Sequence, residues 1–178
     1  MNRLFTALLA GVILLAGCAA PGTQGGAQVR QLSATPIYVT GGDQPEGSAA
    51  VYDALSGFGV ELLRQVRTQE GKQVLISPLS AALALSMSAN GARGDTLKQF
   101  EVLFGGDLEA INAACAQLMQ EYQTLGGSTQ CHIANSVWAD PEGQIKDEFV
   151  GKCQGIFDAQ VFQADLSDKG IVKAVNGW

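Results

Sequence analysis

The chain has 178 residues, 47% of them apolar and 16% charged, with a net charge of −6. That composition belongs to a globular chain, and the acidic balance excludes nucleic acid as a partner. A single histidine, His132, leaves little for metal binding or acid–base catalysis, which most often recruit that residue.

The first residues set the expected compartment. Met1-Asn2-Arg3 is a short positive start, and Leu4 to Leu15 is an apolar run interrupted only by Thr6 and Gly11. A membrane-spanning helix needs about 20 apolar residues, so length and flanks favour a signal peptide over residues 1–17. Leu15-Ala16-Gly17-Cys18 resembles the bacterial lipobox, in which the cysteine is acylated and becomes the new N-terminus. The competing reading is an ordinary secretory signal with a chance cysteine at that point. Lipidation of Cys18 implies an extracytoplasmic protein at the cell surface or in the periplasm, held at the membrane by its acyl chains. Loss of Arg3 takes the net charge to −7, so the lipid and not the acidic body would do the membrane binding.

Residues 18–47 then read as the lipidated cysteine and a flexible tether. This stretch is rich in Gly, Pro, Gln, Ser and Thr and holds Pro21, Pro36 and Pro45. Pro36 to Thr40 is a candidate short strand within it. The folded part is expected over 48–178. Val51, Leu55, Phe58, Leu62 and Val66 recur at helical spacing, with Gly57 and Gly59 weakening that helix. Val74-Leu75-Ile76 reads as a short buried strand. Ser77 and Pro78 then form an N-cap and first helical residue. The helix from Leu79 to Ala89 is apolar nearly all round, and Asn90-Gly91 is expected to close it in the left-handed conformation. Leu97, Phe100, Leu103 and Phe104 mark the next helix, ended by Gly105-Gly106. Leu108, Ile111, Cys115, Leu118 and Tyr122 mark another.

The period changes over 130–138, where residues alternate and apolar side chains occur on both sides. A covered central strand is the expectation there, with His132 buried as a structural residue. Ile145, Phe149, Cys153 and Ile156 restore the helical period, Ala159 to Phe162 reads as a second strand, and a last helix is expected from Ser167 or Asp168. Its apolar face, Ile171, Val172, Val175 and Trp178, runs to the last residue, so more of the domain is expected beyond it.

Four pieces in register resemble the serpin family. Val74-Leu75-Ile76-Ser77-Pro78-Leu79-Ser80 is similar to its "ISPLS" segment, and Ala92-Arg93-Gly94 with Thr96 to the turn that follows. Ile133-Ala134-Asn135-Ser136-Val137-Trp138 is similar to its "IANSLW" strand, and Val175-Asn176-Gly177-Trp178 to its "IN-x-W" helix. The resemblance implies an α+β fold with helices packed on a central sheet. It implies inhibition of serine proteases, in some members cysteine proteases, by a reactive loop that inserts into that sheet after cleavage. Ser77, Ser80, Asn135 and Asn176 match family positions around the region where the sheet opens. The remaining strands and the reactive loop lie beyond the family segment seen here, so no reactive-loop residue is assigned and the 178 residues alone are expected not to inhibit. The alternative is a lipid-anchored interaction or scaffold protein without inhibition.

No catalytic set, metal site or cofactor motif emerges. Cys115, Cys131 and Cys153 have no zinc spacing, and one disulfide or three free thiols are both open. Arg93-Gly94-Asp95 spells an integrin-type tripeptide but falls inside the family turn, and it reads as loop chemistry. Asp147-Glu148 suit a helix start and Asp140 to Gly143 a turn.

Overall fold

A computed structural model describes residues 27–39, 48–70, 74–125 and 131–178. The signal peptide and Cys18 lie outside the described residues. Among the described residues the elements in order are β1 (Arg30–Leu32), α1 (Ser48–Glu70), α2 (Pro78–Gly91), α3 (Gly94–Phe104), α4 (Leu108–Gln123), β2 (Asn135–Ala139), α5 (Asp147–Phe157), β3 (Ala159–Gln163) and α6 (Ile171–Asn176). The fold is α+β, as expected.

Local chemistry explains the helix ends. Ser77 Oγ accepts from the Ser80 N–H, and Asp107 Oδ1 accepts from the Ala110 N–H, so each caps a first turn. Gly105 ends α3 in the left-handed region at φ 69°, its N–H bonded to the Glu101 carbonyl. Helices α1 to α4 pack on one another, and α5 joins them to β3. Their shared core holds Val51, Phe58, Leu83, Met87, Phe100, Phe104, Ile111, Val150, Cys153 and Phe157. Gly57 and Gly59 do not interrupt α1. Gly59 has a packing reason: a Cβ there would lie 3.0 Å from Pro78 Cβ, so glycine lets α2 start against α1.

The sheet has the order β1-β3-β2, with β3 antiparallel to β1 and parallel to β2. Parallel neighbours need a crossover, and α5 supplies it. Ala159 and Val161 turn into the core, while Gln160 and Phe162 take the other face. There Phe162 stacks on Trp138 with ring centroids 4.4 Å apart. Apolar side chains therefore do occupy both faces of β2, but the strand has one neighbour only among the described residues. Here β3, not β2, is central.

Other expectations shift for identifiable reasons. Residues 36–39 are not a strand. Pro36 has no N–H, and the Ile37 N–H bonds to the Gly151 carbonyl at 2.9 Å instead of to a strand. The strand lies earlier, at 30–32, so part of the stretch read as tether is paired into the sheet. Thr40 lies outside the described residues. The 33–37 segment packs on α5 through two glycines: a Cβ on Gly155 would overlap the Ile37 backbone, and one on Gly151 would reach within 2.5 Å of the Thr35 carbonyl oxygen. Val74 to Ile76 is not a strand either. Its backbone has no strand partner among the described residues, and Leu75 is 99% exposed beside Val60 and Leu63 of α1. Asn90 does not take the left-handed conformation, and neither does Gly91; Ala92 ends α2 in extended backbone. His132 is exposed and precedes β2. Helix α6 starts only at Ile171, because the side chains of Asp165 and Asp168 accept from the backbone of Ser167 and Gly170 and hold turns there. It closes at Gly177, whose N–H bonds to the Lys173 carbonyl.

Candidate functional site

The residues singled out by sequence fall in three places. Ser77 and Ser80 meet at the start of α2, where their hydroxyl oxygens lie 2.8 Å apart and Ser77 Oγ takes the Ser80 N–H at 3.3 Å. The pair caps the first turn of the helix. Asn135 opens β2. Its Nδ2 donates to the Phe157 carbonyl at 2.9 Å, tying the strand to the end of α5 in a buried setting. Asn176 is exposed in the last turn of α6. The two asparagines and the serine pair form no common hydrogen-bonded cluster.

The sheet face beneath α6 carries further polar order. Trp138 Nε1 donates to Ser136 Oγ at 3.0 Å, and Trp178 Nε1 donates to Gln160 Oε1 at 2.6 Å. Through that second bond α6 is tied to β3. The opposite edge of β2 offers its backbone groups without a described strand partner.

Sequence reasoning missed a buried polar group among the helices. Asn90 Nδ2 donates to Asn112 Oδ1 at 2.7 Å, and Asn112 Nδ2 returns a bond to Asn90 Oδ1 at 2.9 Å. Asn90 Nδ2 also reaches the Ser86 carbonyl at 3.0 Å. The available signal was Asn112, a carboxamide inside an alanine-rich stretch of α4. Ser86 Oγ, one turn before Asn90, and Tyr52 Oη are buried without a partner of hydrogen-bond geometry among the described residues. Burial first, then the Glu121 charge and Cys115, raises the Tyr52 phenol above its ordinary value.

All three described cysteines are free. Burial pushes the Cys115 thiol up to about 11, with the neighbouring Ser86 hydroxyl pulling the other way, and pushes Cys153 up to about 12. Cys131 is half-buried. In the folded chain from residue 19 onward, iodoacetamide at pH 8 is expected to modify Cys131 alone, with Cys115 and Cys153 reacting only after denaturation. Peptide mass mapping reads this directly. The raised thiols also give a sign for alkaline stability. A group whose folded pKa lies above its unfolded value stabilises below the unfolded pKa, so this contribution falls as pH rises from about 9 toward 11 and 12.

Among the described residues no group of three or more His, Cys, Asp or Glu side chains stands close enough to hold a metal. The acids have structural work: Glu148 pairs with Lys152 at 2.8 Å, and its carboxyl is held below the usual range mainly by that hydrogen bond. Asp165 is lowered by its bonds from Ser167. Gly94 and Asp95 of the Arg-Gly-Asp tripeptide lie in the first turn of α3, not in an open loop.

A family model for the serpins, described as serine protease inhibitors, matches residues 53–178, well over half of the chain. This chain belongs to the serpin family. Iripin-8 of Ixodes ricinus is 29% identical over 128 residues, 68% of this chain and 32% of its own length. Human neuroserpin is 28% identical over 138 residues, covering 74% of this chain and 33% of neuroserpin. The bovine protein named plasma serine protease inhibitor is 26% identical over 113 residues, 60% of this chain and 28% of its own. The chain spans about a third of the length of the curated relatives it matches. Its described residues form a helical layer and a three-stranded sheet.

Proposed function

We propose that this serpin chain carries the N-terminal part of a serine-type protease inhibitor, held at a membrane surface by lipid on Cys18. The observation that carries the inhibitor reading is the family match over residues 53–178, with the four motif segments in register. The name of the bovine relative, plasma serine protease inhibitor, supports it. Ser77, Ser80, Asn135 and Asn176 would then act as the polar residues around the opening region of the sheet. Two of the three places they occupy adjoin β2 or α6, the elements at that sheet. In such an inhibitor a reactive loop supplies the bait, and none of these 178 residues is assigned to it.

Reading the source gene past the codon for Trp178 and expressing the whole frame tests this. A frame of serpin length is expected to form an SDS-stable one-to-one complex with at least one of trypsin, chymotrypsin and elastase. The 178-residue polypeptide alone is expected to form none. Absence of any complex from a full-length frame overturns the inhibitor reading, and inhibition by the 178 residues alone overturns the placement of the bait.

The anchor has its own test. Cys18→Ser is expected to abolish incorporation of labelled palmitate and to move the protein out of the membrane fraction. The reading rests on the lipobox-like Leu15-Ala16-Gly17-Cys18. Continued membrane retention of an unlabelled variant would replace lipid with some other attachment.

A further inference from the structure

A cleft of about 540 Å³ opens between the 33–38 segment, the first residues of β2 and β3, and Trp178. Volumes of this order hold small organic ligands. Two aromatic residues line it, Tyr38 and Trp178. Three carboxamides, Asn135, Gln154 and Gln160, and one carboxylate, Asp158, complete its polar character. None of the described lining side chains is basic.

Asp158 is costly where it stands. It follows the last residue of α5 in the left-handed region at φ 48°, the one described non-glycine residue with positive φ. Glycine and then asparagine suit that position best. Asp158 also places a negative charge at the carbonyl end of a helix, where the dipole favours cations. No described ion pair offsets that charge. Backbone strain and unfavourable charge at one residue are what a ligand site tolerates when the ligand returns the interaction.

The other groups point to the kind of ligand. The Gln160–Trp178 bond uses the indole N–H, which lies in the ring plane, so that bond does not engage the π face of this lining residue. Gln154 Oε1 is taken by the Ala34 N–H and Asn135 Nδ2 by the Phe157 carbonyl, which makes these amides fixed walls. A carboxylate, a helix carbonyl end and aromatic faces together form a setting for an organic cation. We propose that this cleft binds a small organic ammonium, with Asp158 as counter-ion and Tyr38 and Trp178 as aromatic walls.

The test uses the full chain labelled with ¹⁵N at low ionic strength. Choline is titrated against 3,3-dimethylbutan-1-ol, which has the same shape without the charge. Choline is expected to shift the Trp178 indole N–H resonance saturably in the millimolar range and to leave the Trp138 indole unmoved. The neutral alcohol is expected to bind at least about tenfold more weakly. Asp158→Asn and Asp158→Gly both accept the left-handed backbone. Each should keep the spectrum, raise Tm, and weaken choline binding by about fivefold or more. A parallel arm with Nα-acetyl-lysine methylamide against its norleucine analogue tells whether the ammonium comes free or on a peptide side chain. Equal binding of choline and the alcohol, unchanged affinity in both Asp158 variants, or no saturable shift from either ammonium overturns the proposal. Protease inhibition by a longer frame is independent of all three results.

Discussion

Phe104→Ala is expected to lower the unfolding free energy by about 3–5 kcal/mol, as full-size truncations of buried aromatics do. Phe104 is 0% exposed and lies edge-on to Phe58, with centroids 5.8 Å apart and planes at 66°. It is the last residue of α3, fixed by the Gly105 cap, and it joins that helix to α1. Alanine would leave a cavity that the close-packed surroundings fill only in part, and it would forfeit the aromatic pair. Against a total stability of about 5–15 kcal/mol this is roughly a fifth of the total or more. Val102→Ala on the same helix is the control: Val102 is 84% exposed, and its loss should stay within about 0.5 kcal/mol. Urea unfolding followed by far-UV circular dichroism measures both. Equal effects would mean that α3 does not pack as described.

Asn112→Ala is expected to cost about 1–3 kcal/mol, because the Asn90 carboxamide would stay buried with its oxygen unpaired. The pair is reciprocal, with bonds of 2.7 and 2.9 Å, and both residues are buried. Asn90→Ala alone should cost a similar amount by orphaning Asn112. The double variant should cost clearly less than the two together, since it removes both the bonds and the orphaned groups. Strict additivity in that cycle would show that the two amides do not depend on each other. The pair also fixes α2 against α4 at one height, which apolar contacts alone specify less sharply.

Several structural features were legible along the chain because their causes are local. Ser77 before Pro78 and Gly105 after α3 act within one helical turn, so their residue types announce the ends. The apolar repeat of Phe100 and Phe104, or of Ile111 and Cys115, follows from 3.6 residues per turn. The serpin motifs were legible for the same reason: each is a short contiguous run.

What escaped depends on partners far along the chain. Asn90 beside Gly91 looks like a helix stop, and only Asn112, 22 residues away, makes it a buried donor and acceptor. Leu75 in an apolar triplet looks like a buried strand, yet a strand needs a neighbour for its backbone. The Pro36 segment looks like tether, yet Gly151 and Gly155 on α5 give its backbone a place to lie.

The sequence by itself determined the helical layer, the runs that form β2 and β3, and the family, since periodicity, capping and motif order are written in neighbouring residues. The tertiary structure decided which strand is central, where Asn90 finds its partner, and which residues gather round Asp158. Those outcomes depend on backbone pairing and close approach between segments far apart in the chain, as in the Arg30–Gln163 strand pair and the Ala34–Gln154 bond, and no local pattern encodes them.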